Sequence, residues 1–537
     1  MRILLVLLSV ILLFSCNSDL ESQETDFIHV PSPDWSKQVI YFALTDRFND
    51  GDPSNNDQGL GEFNPKSNDY YNGGDFQGII DQLDYLQELG ITTLWITPPV
   101  ANQALAPNMN MAGYHGYWQS DPIDLDPHYG DLEAYKALSI ALHKRGMYLV
   151  QDVVTNHMGN YFTYEGEFDP ENQQNNFKIY PDQELNKAPW NLNDVRNKAH
   201  SEASIYNFTP DIQDYADQNQ RLNYSLMALD DLNTKNPVVK EELRKAFGYW
   251  IKEVGVDGFR FDTPIYVEHD FWNDFMHSES EENPGMLPLA RALGKKDFLN
   301  FGETWFTSMP MEDSGEKECK TYLGTKEKPE ISSVLNFPLQ ATIKRVFAQS
   351  SPTSYMQYRM EATYNNFEDP RTSPTFIDNH DMARFMAGSN SKNLDQALLF
   401  LFTIPGIPIV YYGTEQHFTH SRSSMFAEGS NSEGKDHFNT QSSGFQYLQK
   451  LIEVRKSNPV FYKGTWTGCG DNSYGAGLLA YKMEYEEEQR FVIFNTASES
   501  LLATGINTGL PEGTILEPIL GKGEPIKVGS SGFASLK

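Results

Sequence analysis

Cysteine is nearly missing from this chain: three in 537 residues, Cys16, Cys319 and Cys469. Thiols so few and so far apart give no disulfide framework, and whether Cys319 and Cys469 pair is left open. Positive charge is also scarce, with 42 Lys and Arg against 73 Asp and Glu and a formal net charge of −31. That balance argues against a nucleic acid or an anionic membrane surface as partner, and suits an exported protein acting on an uncharged substrate. The apolar run that stands out, residues 3–14, is too short to span a bilayer comfortably. What is present suffices for sizeable cores: 39% apolar and 13% aromatic residues, in a chain long enough for two or three domains or one large barrel with additions.

Arg2 ahead of the 3–14 run reads as an export signal over residues 1–16. It ends in Leu13-Phe14-Ser15-Cys16, similar to a bacterial lipoprotein cleavage site with Cys16 as the lipidated residue. An ordinary signal peptide with an incidental cysteine is the alternative. Residues 17–35 are polar and acidic and read as a tether. The expectation is an exported protein, periplasmic or on the cell surface, that meets a membrane through an anchor at Cys16.

From residue 36 strands and helices alternate. Strands are expected at 39–45, 91–97, 148–154, 256–261, 298–302, 331–337, 375–377 and 407–412, with helices at 76–89, 132–144, 237–253, 339–347, 394–402 and 443–456. Eight such alternations predict a closed parallel (β/α)8 barrel in two parts, 36–157 and 237–459. Between them, 158–236 is rich in Asn, Asp, Gln and Tyr without clear periodicity, and reads as a small irregular subdomain inserted after strand three. Residues 460–537 carry β segments and no long helix, a C-terminal antiparallel β-domain.

Barrels of this kind hold their chemistry at the C-terminal ends of the strands. Three carboxylates fall there: Asp262 after strand four, Glu303 after strand five and Asp381 after strand seven. Arg260 and Asp262 lie two apart on one strand and so share a face, which keeps Asp262 ionised. By spacing alone a structural ion pair is the better reading; the two further carboxylates turn it toward catalysis. Crowding them in one pocket raises at least one pKa, which makes Glu303 the natural proton donor.

Asp152-Val153-Val154-Thr155-Asn156-His157, Gly258-Phe259-Arg260-Phe261-Asp262, Gly302-Glu303 and Asn379-His380-Asp381 resemble, in order, the four signature segments of the α-amylase family of glycoside hydrolases (family 13). The resemblance to bacterial α-amylases and cyclodextrin glucanotransferases covers about residues 39–459. It implies Asp262 as nucleophile, Glu303 as general acid/base and Asp381 as the carboxylate gripping the sugar's hydroxyls. His157, Arg260 and His380 would surround the reacting ring and Tyr117 would stack on it. The 158–236 insert corresponds to the family's domain B and 460–537 to its domain C.

Ca²⁺ is implied at two places. Asp50, Asp52, Asn55, Asn56, Gly73 and Asp75 are similar to a loop calcium site of glucanotransferases. Asn156 and Asp231, with the backbone carbonyl of Tyr266, match a site tying domain B to the barrel. Oxygen-only donors in a Gly-containing loop suit Ca²⁺, and a solvated Asx-rich turn is the plainer reading. One departure stands out. Where many α-amylases carry Lys-His three and four residues after the nucleophile, this chain has Ile265 and Tyr266. The expected activity is retaining cleavage of α-1,4-glucosidic bonds in starch or maltodextrins, with glucanotransfer as the alternative. A non-catalytic glucan-binding protein is disfavoured, because all three carboxylates are in place.

Overall fold

A computed structural model describes residues 27–181, 185–520 and 523–536. The expected export signal, Cys16 and residues 17–26 of the tether lie outside the described residues. Eight strands make the central sheet: β1 (Ile40–Ala43), β2 (Thr93–Ile96), β3 (Tyr148–Val153), β4 (Gly258–Phe261), β5 (Leu299–Gly302), β6 (Ser333–Val334), β7 (Pro374–Thr375) and β8 (Ile407–Tyr411). They pair in parallel in the order β6-β5-β4-β3-β2-β1-β8-β7. Nearly every strand residue is buried, as expected where side chains fill the barrel on one face and meet helices on the other.

β6 and β7 have two residues each, shorter than the expected 331–337 and 375–377. Pro374 has no N–H to give the ladder, and Asn336 already caps the helix Phe337–Ile343 by accepting from Leu339 N at 3.0 Å. The gap between them is bridged instead by Asn336 N donating to Pro374 O and Ser373 Oγ to Val334 O, each at 3.1 Å. The barrel therefore comes close to closure through loop contacts.

The helices form for local reasons that also seat them. Pro237–Glu253 starts behind Asn236, whose side chain accepts from Val238 N, with Pro237 in the first helical position. Val239, Leu243, Ala246, Phe247, Trp250 and Ile251 then make a buried stripe at helical spacing. The single helix expected over 76–89 is two, Phe76–Asp81 and Leu83–Leu89, meeting at Gln82.

Residues 158–236 carry a short hairpin (Phe162–Tyr164 with Phe177–Ile179) and two helices of six residues, gathered on Phe162, Phe177, Tyr206 and Phe208. At the C-terminus β9 (Thr465–Gly470), β10 (Leu478–Tyr485) and β11 (Glu488–Asn495) form an antiparallel sheet. Tyr481 and Phe494 of that sheet pack on Phe400 of the barrel helix Ser391–Phe402. Cys319 and Cys469 are both free and buried.

The tether expected over 17–35 ends earlier. From Phe27 the chain is laid across the N-terminal ends of the strands. Phe27 O accepts from His143 Nδ1, Val30 O from Lys295 Nζ at 3.4 Å, and Ile28 O sits where a Cβ on Gly255 would be. Beneath this strap His143 Nε2 and Lys295 Nζ both reach the Asp257 carboxylate, at 2.8 and 2.5 Å. Backbone carbonyls given to the buried His143 ring and Lys295 ammonium make this stretch part of the barrel's base.

Candidate active site

The four parallel strands β3, β4, β5 and β7 each deliver a charged group to one mouth. The β3–β4 register sets Asp152 directly beside Arg260. Arg260, fully buried, then serves three carboxylates: Nη1 lies 2.8 Å from Asp152 Oδ1 and 3.1 Å from Asp262 Oδ1, and Nη2 lies 2.8 Å from Glu303 Oε2. Immediately past β4, Thr263 adopts a left-handed conformation with φ 45°, and its hydroxyl donates to Asp262 Oδ2 at 3.1 Å. Such a backbone in a β-branched residue is strained and is held by its surroundings.

Glu303 and Asp262 stand on the two ends of one guanidinium. Burial pushes the Glu303 carboxyl well above its ordinary range; Arg260 opposes this, and the charges of Asp262, Asp381 and Asp152 add to it. Its Oε1 is buried with no protein partner. Asp381 is the opposite case. Burial acts to raise it, and His380, Arg422 and Arg260 outweigh burial and bring it below the usual carboxylate range. His380 Nε2 and Arg422 Nη2 each lie 3.1 Å from its carboxylate.

The residues expected around the reacting sugar come together here. Tyr117 donates to Asp152 Oδ2 at 2.8 Å, and its ring lies parallel to that of His380, with centroids 5.2 Å apart. Burial lowers His157 and takes His380 down to about 3, so both are neutral donors or acceptors. His157 is held against Tyr117 O at 3.2 Å.

Several groups in the site were missed in sequence. Asp152 anchors Arg260, Tyr117 and Trp95, and burial pushes it to about 7. Its signal was available, since it opens the first motif. Arg422 had no such signal: it stands alone in the loop after β8, yet touches Asp381, His380 O and the Tyr114 hydroxyl. Trp305, two residues beyond Glu303, is 43% exposed and stacks on Phe337, a large apolar face left open at the rim. Ile265 and Tyr266 sit on the turn Pro264–Tyr266, where the Tyr266 ring meets Tyr215 edge-on.

The first expected calcium loop is assembled, with one exception. Asp75 Oδ2 accepts from Asp52 N at 2.8 Å, its Oδ1 caps the following helix through Gly78 N, and Asn56 Nδ2 donates to Asp50 Oδ2 at 2.7 Å. A Cβ on Gly73 would fall 2.6 Å from Asn56 Nδ2, so only glycine fits that approach. Asp50 Oδ1, Asn55 Oδ1 and Asn56 Oδ1 are buried without partners, and burial takes Asp75 to about 6. Asp52 is the exception. Its side chain turns outward to cap Ser54, at 2.6 Å to Oγ, because an Asx turn satisfies it locally. Among the described residues no three His, Cys, Asp or Glu side chains converge as a metal cluster, so a cation here would rest on amide and carboxylate oxygens together.

At the second expected site a bridge joins His157 to Asp231, and Leu232 N donates to Asn156 O at 2.9 Å, which brings Asn156 and Asp231 together. Burial raises Asp231 well above its ordinary range. Asn207 Nδ2 already reaches it at 2.8 Å. No contact among the described residues brings Tyr266 to this pair.

A family model described as the alpha amylase catalytic domain matches residues 42–436. A cyclomaltodextrin glucanotransferase of Thermoanaerobacterium thermosulfurigenes is 30% identical over 99% of this chain and 70% of its own length. The chain spans 65% of another such enzyme, from a Bacillus strain. Among solved structures, an Anoxybacillus α-amylase superposes with a TM-score of 0.72 at 29% identity, covering 94% of this chain and 96% of that one. A cyclomaltodextrin glucanotransferase with a three-domain ABC distribution gives 0.75 at 26%, covering 94% and 97%.

Proposed function

Because this chain belongs to the α-amylase family, and is a glycosidase by that membership, we propose that its cleft cleaves α-1,4-glucosidic bonds with retention of configuration. Asp262 attacks the anomeric carbon as Glu303 gives its proton to the leaving oxygen, forming a covalent glycosyl-enzyme. Glu303, now a carboxylate, takes a proton from water, which displaces Asp262 from the opposite face. Asp381 grips the ring hydroxyls more strongly as the ring flattens. The observation that carries this reading is the shared Arg260, 3.1 Å from Asp262 and 2.8 Å from Glu303, while burial raises the Glu303 carboxyl well above its ordinary range. Two carboxyls in separate states are what an acid–nucleophile pair needs.

The acceptor side favours a second reading. With Ile265 and Tyr266 in place of Lys-His, and exposed Tyr215 and Trp305 nearby, the leaving-group side presents ring faces. Aromatic faces hold a sugar acceptor better than they hold water, so transfer to short maltodextrins competes with hydrolysis. Both outcomes require retention. Proton NMR of product freshly released from an α-glucan should show the α-anomer before mutarotation; a β-anomer would overturn the assignment of Asp262. A product series on starch, maltotriose, cyclodextrin and pullulan then separates hydrolysis from transfer.

We also propose Ca²⁺ in the loop of Asp50, Asn55, Asn56, Gly73 and Asp75, the three unpartnered oxygens being its best support. Bound there, the ion supplies no chemistry to the reaction and cross-links loop 50–56 to the turn at 73–75. Chelation should lower the melting temperature by several degrees and added Ca²⁺ should restore it, by mass action on the folded state. Indifference to both would remove the ion from this loop.

A further inference from the structure

Arg384 is 1% exposed and belongs to neither the catalytic cluster nor an ion pair. Its guanidinium carbon sits over the ring of Tyr411 of β8, 3.8 Å from the centroid, with Tyr412 at 5.1 Å and Phe418 at 5.8 Å. Nε donates to His420 O at 3.3 Å. Both terminal nitrogens are buried without a protein partner, and so are Asp378 Oδ1 and Glu415 Oε2, the two carboxylates that its charge stabilises. Glu415 is fixed by the hydroxyls of Tyr41 and Tyr85 at 2.9 and 2.8 Å. Asp378 accepts from Phe385 N at 2.7 Å and so ties together the two ends of the loop that carries Asp381.

The surface on which Arg384 lies also governs that loop. Tyr411 donates its hydroxyl to Ser421 O at 2.8 Å. Ser421 Oγ donates to His380 O and Met382 O at 3.3 and 3.1 Å, on both sides of Asp381, and Arg422 Nε donates to His380 O at 3.0 Å. We propose that Arg384 is a positioning residue for Asp381: stacked between the β7 loop it belongs to and the β8 loop on which it lies, it fixes the register of one against the other and hence the aim of the Asp381 carboxylate. The stack needs a planar cation. A lysine keeps the charge near Asp378 and Glu415, and has no planar face to set over the Tyr411 ring while donating sideways to His420 O.

This rests on the reading of Asp381 as the group that holds the sugar in the transition state, and a double-mutant cycle separates the two claims. Arg384→Lys should lower kcat by about 10- to 100-fold with KM within about twofold, the pattern of a contact made only in the transition state. In an Asp381→Asn background, assayed on an α-glucosyl fluoride, the same substitution should cost less than about threefold, since there is no carboxylate left to aim. Equal losses in both backgrounds would make Arg384 a plain stability residue and overturn the proposal, as would full activity of Arg384→Lys. If Asp381→Asn alone costs little, the reading of Asp381 fails instead. Melting curves of all four proteins show whether any loss is unfolding, and a cycle in which Arg384→Lys loses activity by melting at assay temperature counts against the proposal.

Discussion

Asp262→Asn should leave a folded, substrate-binding protein with turnover lower by about 10⁴-fold or more, because an amide does not attack the anomeric carbon. The fold should survive for a reason visible in the charge arrangement. Arg260 keeps the Asp152 carboxylate at 2.8 Å when Asp262 is neutralised, so the buried guanidinium retains an acidic partner. Removing Arg260 itself would be a poorer test, since Asp152, Asp262 and Glu303 would all lose their shared partner at once. The measurement is reducing-sugar release from soluble starch beside a melting curve. Activity within tenfold of the parent, in a preparation shown by mass spectrometry to be free of deamidated or wild-type protein, would remove Asp262 from the nucleophile's place.

Glu303→Gln should split the reaction in two. On starch or maltodextrins, whose leaving oxygen needs a proton, the rate should fall by about 10²- to 10⁴-fold. On an α-glucosyl fluoride the first step needs little protonation and should proceed, while the second lacks its base. The covalent intermediate should then accumulate, visible as an added glycosyl mass on the intact protein. The pH dependence follows from the sign of the Glu303 shift. Burial and the facing carboxylates raise its pKa, so the proton-bearing form needed for the first step is full below that pKa. Activity on glucans should therefore fall as pH rises through it, and Glu303→Gln on the fluoride should lack this alkaline limb. An unchanged limb in the variant would assign it to another group.

How much of this was legible beforehand depended on whether the information was local. Asp262, Glu303 and Asp381 could be placed because each closes a short apolar strand, and strand ends are where a parallel barrel gathers its chemistry. Tyr117, His157 and His380 came with the motifs around them. Arg422 was invisible: nothing beside it marks it, and its role exists only because the loop after β8 folds back over the loop after β7. Asp152 opens the first motif, and its meaning lies in the β3–β4 register, which no local pattern shows. The metal residues divide along the same line. Asp50, Asn55, Asn56 and Asp75 face one another across two loops, whereas Asp52 follows its nearest neighbours into a turn. Sequence spacing could not separate those outcomes, because an Asx turn and a calcium loop use the same residue types. The shortened β6 and β7 were hidden by apolar runs in which Asn336 already serves as a helix cap and Pro374 has no N–H to give the ladder.

The strap at the base of the barrel and the candidate catalytic groups lie at opposite ends of the strands. Phe27 enters at the N-terminal ends of the strands, beside His143, Gly255 and Lys295, while Asp262 and Glu303 stand past the other ends of β4 and β5. Pull applied to the chain upstream of Phe27 is therefore borne first by the floor of the molecule, where His143 and Lys295 meet Asp257. A lipid at Cys16 would leave a leash of at most about 40 Å when fully extended. Were a lipid carried there, the attachment would enter the molecule on the face opposite the mouth, and the tether would not cross the cleft.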